Sequence, residues 1–211
     1  MSRKRLERGR EQNRKRARIP RALAVVCGEV TEKEYFDQLG KELGVVISVK
    51  SQGLDPIALA TYAAELCRRE RSEIRASSDD GFKVVLVVAD VDDYSPDQLR
   101  EAARICKQKG MVLVLSNPCF EVWLIDHLEP CPDSICTARS AQQRALSNRI
   151  LCGKGNKNIV KETIEGNLDI ALQNAWKHNT AEREDRRRRL DTTDFGPWTD
   201  MPTAVEALRL L

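Results

Sequence analysis

The stretch Val87-Val88-Ala89-Asp90-Val91-Asp92-Asp93-Tyr94 closes an apolar run with three carboxylates inside four positions. Asp90 and Asp92, two apart on extended backbone, would point to the same side. Earlier in the chain, Glu29 and Glu32 follow the apolar run Leu23–Cys27 and its stop at Gly28. If these segments meet, at least four carboxylates converge, and like charges so gathered call for a positive partner. A hard cation with oxygen ligands is the natural one. Magnesium takes one or two protein carboxylates and completes its shell with water and substrate phosphate, which suits phosphoryl transfer. The bland reading gives the carboxylates to turn capping before Ser95; it suits Asp93, while Asp90 and Asp92 are read as the metal pair.

The elements that position them alternate. Leu23–Cys27, Val45–Val49, Lys83–Ala89 and Met111–Leu115 are apolar along their whole length, as buried parallel strands are. Between them lie amphipathic helices. Thr31 with Glu34 reads as a capping box ahead of Tyr35, Phe36, Leu39 and Leu43. Asp55-Pro56 and Ser95-Pro96 open two more helices, and Gly44 and Gly110 close the first and third. Beyond these, 118–127, 140–151, 159–176 and 203–211 read as helical. The expected fold is α/β, Rossmann-like, with about four mostly parallel strands flanked by helices. It comprises a basic arm over 1–21, a core over 22–127 and a helical extension over 128–211 that packs on the core. In such a sheet the working crevice lies beyond the carboxyl ends of the strands, where strand order reverses.

Charge separates the arm from the rest. Residues 1–21 hold ten Lys and Arg against Glu7 and Glu11, whereas the whole chain is only +3, so the remainder is acidic. Arg3, Lys4, Arg5, Arg14, Lys15, Arg16 and Arg18 are the expected grip on a nucleic-acid backbone; the alternative is a solvated tail. Arg183 and Arg186–Arg189, interleaved with Glu and Asp, read as an ion-paired helix face. Seven scattered cysteines suit a reducing compartment better than a disulfide framework. No run approaches the ~18 apolar residues of a membrane span, and no apolar segment follows the basic start, so the expectation is a cytoplasmic protein with no membrane partner. A homo-oligomer stays open.

Three blocks carry a resemblance. Val25-Val26-Cys27-Gly28-Glu29-Val30-Thr31-Glu32-Lys33-Glu34-Tyr35-Phe36 is similar to V-x-E-G-E-x-T-E-x-x-Y-F. Ala89-Asp90-Val91-Asp92-Asp93 is similar to the D-x-D of Toprim domains. Ser116-Asn117-Pro118-Cys119-Phe120-Glu121-Val122-Trp123, with His127 beyond, is similar to S-N-P-x-F-E-x-W. Together the chain resembles the RloB family, also called AbiLii-like, prokaryotic proteins with a Toprim-like domain linked to phage defence and abortive infection. The closing Met201-Pro202-Thr203 is similar to the family's end, so the resemblance spans nearly the whole chain.

What the resemblance implies is a metal-dependent nuclease acting on DNA or RNA, the effector of an antiviral system with a partner ATPase. The cofactor would be Mg2+, or Mn2+. Asp90 and Asp92 match the metal-binding pair. Cys27 stands where the Toprim Glu belongs, and soft sulfur suits magnesium poorly. Two repairs remain open, Glu29 on extended chain beyond Gly28 or Glu121 from the helix after strand four, as third ligand or base. Accessory residues would be Glu32, Ser116 and Asn117, the last two either bonding substrate or capping the next helix, and His127, as a proton donor or a core residue. The loop Gly153-Lys154-Gly155-Asn156-Lys157 is basic but lacks the full phosphate-loop pattern. The other reading is a catalytically degenerate nucleic-acid-binding or scaffold subunit.

Overall fold

Apolar β-branched runs form the sheet, and the computed structural model describes it within residues 21–74, 81–91, 94–183, 185 and 196–211. The arm, Asp92 and Asp93, and most of the second basic run lie outside the described residues. Strand β1 (Arg21–Val26) lies parallel to β2 (Val46–Ser51) on one side and to β3 (Val84–Asp90) on the other. β3 pairs in parallel with β4 (Val112–Asn117), Val88 opposite Val114.

Helices cover both faces because successive strand residues point to opposite sides. Ala22, Ala24, Val26, Leu86 and Val88 pack against Tyr35, Phe36 and Leu39 of α1 (Thr31–Leu43). Leu23, Val25, Val85 and Val87 face Leu59 and Ala63 of α2 (Pro56–Ile74) and Leu99 and Ala102 of α3 (Pro96–Lys109). Local chemistry sets the helix ends. Asp55 accepts from the backbone N–H of Ile57 and Ala58 at 2.9 and 3.1 Å. Ser95 and Gln98 form a reciprocal capping box, and Gly44 and Gly110 adopt the left-handed turn with φ of 69° and 67°.

The C-terminal half departs from the all-helical expectation. Helices α4 (Glu121–Asp126) and α5 (Ala138–Ser147) lead into a small antiparallel hairpin, β5 (Leu151–Cys152) and β6 (Asn158–Ile159). After α6 (Lys161–Ile164) and α7 (Leu168–His178), β7 (Trp198–Thr199) joins the main sheet antiparallel to β4, giving five strands in the order β2-β1-β3-β4-β7. Helix α8 (Met201–Arg209) then buries Met201, Ala204, Val205 and Leu208 in the same core as α1. Two-residue strands carry too few side chains for a period-two signal, so Leu151 and Ile159 read as helix ends in the sequence.

The expected Thr31–Glu34 capping box does not form. Val30 occupies the N-cap position without a side-chain bond. Thr31 instead donates its hydroxyl to the Lys157 carbonyl at 2.8 Å, and Glu34 accepts from Asn158 Nδ2 at 2.7 Å and from the Ile159 N–H at 2.8 Å. With the helix starting at Thr31 itself, both side chains are free to hold the hairpin.

Candidate metal centre

β1 connects through α1 to β2 on one side, and the chain then crosses to β3 on the other, so strand order reverses between β1 and β3. Their carboxyl ends lie side by side, Cys27 N–H donating to the Val88 carbonyl at 3.2 Å. In this crevice Cys27 Sγ and carboxylate oxygens of Glu32 and Asp90 lie within 4.8 Å of one another. This is a metal-capable group at the place where open α/β sheets keep their ligands.

Glu32 reaches the crevice through the geometry of a helix start. Gly28 bends the chain, α1 begins at Thr31, and side chains of a first helical turn tilt back toward the N-terminus. The Glu32 carboxylate returns over Gly28, whose N–H donates to Oε1 at 3.0 Å, with Cys27 Sγ 3.7 Å from the same oxygen. A Cβ on Gly28 would lie 1.9 Å from Oε2, so only glycine leaves this space. Ser51 donates to the Gly28 carbonyl at 2.8 Å and fixes the bend. Asp90, at the end of β3, accepts from the Phe120 N–H at 2.9 Å, which ties the crevice to the turn before α4.

Electrostatics follow from burial. Glu32 is only 6% exposed, and burial pushes its carboxyl above the ordinary range; its own N–H and that of Gly28 pull the other way, while the charge of Glu121 adds to the rise. Burial, then the charges of Asp90 and Glu32, raise the Cys27 thiol, so it stays protonated at neutral pH. Cys119 is raised by burial and by Glu121 and Asp90. Among the described residues no lysine or arginine forms an ion pair with Glu32 or Glu121. The crevice therefore gathers acidic groups from two segments, an arrangement that a cation would favour in its ionised form.

The site residues expected from sequence separate as follows. The structure brings Asp90 and Glu32 together, joins Cys27 to them, and leaves Glu121 half-buried at the edge, close enough to act on Glu32 and Cys119. Glu29 is exposed and outside the group. Asp92 and Arg3, Lys4, Arg5, Arg14, Lys15, Arg16 and Arg18 lie outside the described residues. Ser116 is buried, its hydroxyl 2.8 Å from that of Thr199, and Asn117 donates to the Gly196 carbonyl at 2.9 Å, so both meet the β7 segment. His127 is 2% exposed, with Nδ1 3.0 Å from the Trp123 carbonyl and Nε2 3.4 Å from the Tyr35 hydroxyl. Burial depresses its pKa to about 4, leaving it neutral and away from the crevice surface.

A buried pair not anticipated from sequence lies behind α4. Asp126 and His178 meet at 2.8 Å; Asn174 donates to the Asp126 carbonyl, and the Cys131 N–H to its carboxylate. Burial raises Asp126 and its bond to His178 opposes this. The pair joins α4 to α7 and has the character of a structural clasp.

Set beside known sequences, residues 23–208 match the profile of one family, described as RloB-like protein. The chain belongs to the RloB-like family. No curated protein and no solved structure matches it. All three blocks that carried the resemblance fall within the matched span of this RloB-like chain, and among the described residues no helix is long and apolar enough to cross a membrane.

Proposed function

We propose that this RloB-like protein is a divalent-cation-dependent nuclease, hydrolysing phosphodiester bonds of DNA or RNA as the effector of an anti-phage system. The observation that carries the reading is the convergence of Glu32 and Asp90 with Cys27 within 4.8 Å at the sheet's switch point. Two carboxylates match what magnesium asks of a protein, and manganese accepts the same oxygens. Cys27, protonated, is a poor ligand for either ion and stands as a neighbour to the site. Bound there, the cation would polarise a phosphoryl oxygen and orient the attacking water.

The chain's own groups do the rest. Glu32 and Asp90 would hold the ion, Gly28 and Phe120 fix their carboxylates through backbone N–H groups, and Glu121 would accept the proton of the attacking water. From the sequence alone, Asp92 would be a further ligand, and the arm arginines and lysines would draw the substrate in. A partner ATPase, as the resemblance implies, would supply control in the cytoplasm. The test is cleavage of plasmid DNA and of total RNA with Mg2+ or Mn2+. Glu32→Gln and Asp90→Asn should each abolish it, and undiminished cleavage by either variant overturns the assignment. One observation favours a second reading: Cys27 at the position of the Toprim Glu suits a silent nucleic-acid-binding or scaffold subunit. In that case the natural chain binds without cutting and Cys27→Glu gains cleavage.

A further inference from the structure

We infer that the β5–β6 hairpin is a phosphate grip that seats a nucleic-acid backbone against the Cys27–Glu32–Asp90 crevice, with Lys154 and Lys157 making the contacts. From 149 to 161 the chain holds Arg149, Lys154, Lys157 and Lys161 and no acidic residue. All four side chains are exposed, and none forms an ion pair among the described residues. What marks the stretch is its one-signed charge: Lys154 and Lys157 sit on the hairpin and Arg149 and Lys161 flank it, with no carboxylate between them.

Placement makes the patch specific. The hairpin is fastened to the first turn of α1 by the Thr31, Asn158 and Ile159 hydrogen bonds, which link residues at least 124 positions apart. Thr31, which holds the Lys157 carbonyl, directly precedes Glu32, so the hairpin is tied to the same helical turn that carries the metal-capable glutamate. The loop itself is shaped rather than slack. Gly153, Gly155 and Asn156 take φ of 76°, 70° and 55°, and a Cβ on Gly153 would lie 2.4 Å from Asn158 Oδ1. Packed in this way, the turn leaves both lysines exposed on a hairpin anchored to the first turn of α1. An acidic crevice repels a polyanion, and a cationic hairpin tied to the same helix is what lets a phosphodiester chain approach the carboxylates.

The inference rests on the nuclease reading for its substrate but is tested through binding alone. The full chain is titrated in EDTA against a fluorescein-labelled oligonucleotide, in DNA and RNA forms, across a salt series, with Lys154→Ala/Lys157→Ala beside wild type. Loss of two phosphate contacts should weaken binding about tenfold and lower the salt slope by about 1.4 for single strands or 1.8 for duplex. The relative loss on DNA and RNA identifies the preferred strand. Charge reversal, Lys154→Glu/Lys157→Glu, should weaken binding further, and both sites being exposed, folding is unaffected. Equal affinity and slope in all three proteins overturns the grip. Binding lost in the lysine variants while wild type never cleaves upholds the grip and removes the nuclease. Cleavage lost only in Glu32→Gln, with lysine variants normal in binding, does the reverse.

Discussion

Replacing Gly28 with alanine should empty the crevice of its buried carboxylate while sparing the fold. The new methyl would fall 1.9 Å from Glu32 Oε2, 2.2 Å from Oε1 and 2.3 Å from Cδ. To reach ordinary van der Waals separation the carboxylate must retreat by about 1.5 Å. The end of a glutamate side chain can move that far, and Gly28 does not need the left-handed region, so the backbone accepts alanine. What is lost is position. The 3.0 Å bond from the Gly28 N–H is broken or stretched, a charge-assisted interaction of roughly 1.5–3 kcal/mol against which regained solvation of Glu32 is set. A ligand whose outer partner is removed typically binds metal about 10–100-fold more weakly, and a displacement near 1 Å can cost about 10²-fold in rate. Calorimetric titration of Mn2+ into Gly28→Ala, with circular dichroism as the folding control, reads the first figure. Wild-type metal affinity in a folded Gly28→Ala protein would refute the placement of Glu32 as a ligand.

Three further outcomes are expected. An unfolded His127 takes up a proton near pH 6.5 but the folded one only near 4, so this residue's contribution is intact above 6.5 and lost as pH falls toward 4; urea unfolding should show a loss of about 3 kcal/mol that His127→Gln lacks. Asp126→Asn weakens the bonds that the carboxylate makes with His178 and the Cys131 N–H and should cost about 1–3 kcal/mol in the same assay. Glu34→Ala removes both anchors of β6 and should raise amide exchange at Ile159 well before global unfolding, whereas unchanged protection there would show that the hairpin is held by other contacts.

Much of the architecture was legible because it rests on long patterned segments. Four apolar runs became β1 to β4, and Asp55, Ser95, Gly44 and Gly110 ended helices where their chemistry placed them. The candidate site was legible by location, through strands one and three and the switch point, but not by residue. The sequence offers Glu29, if the chain stays extended past Gly28, or Glu121; the bend and the helix start at Thr31 bring Glu32 into the group and leave Glu29 outside it. The signal was a glycine four residues ahead of a first-turn glutamate, a spacing at which the missing side chain makes room for the carboxylate. Thr31 and Glu34 misled for the opposite reason: a pattern that reads as local capping serves a contact more than 120 residues away. Nothing local marks such a partner, nor the pairing of Asp126 with His178 across 52 positions.

Whether carboxylates from two separate segments share one divalent ion is read from Mn2+ titration of wild type, Glu32→Gln and Asp90→Asn. The natural protein should bind one ion per chain, and each variant at least about tenfold more weakly. Equal binding in all three proteins, or no binding in the natural one, would contradict the shared ion.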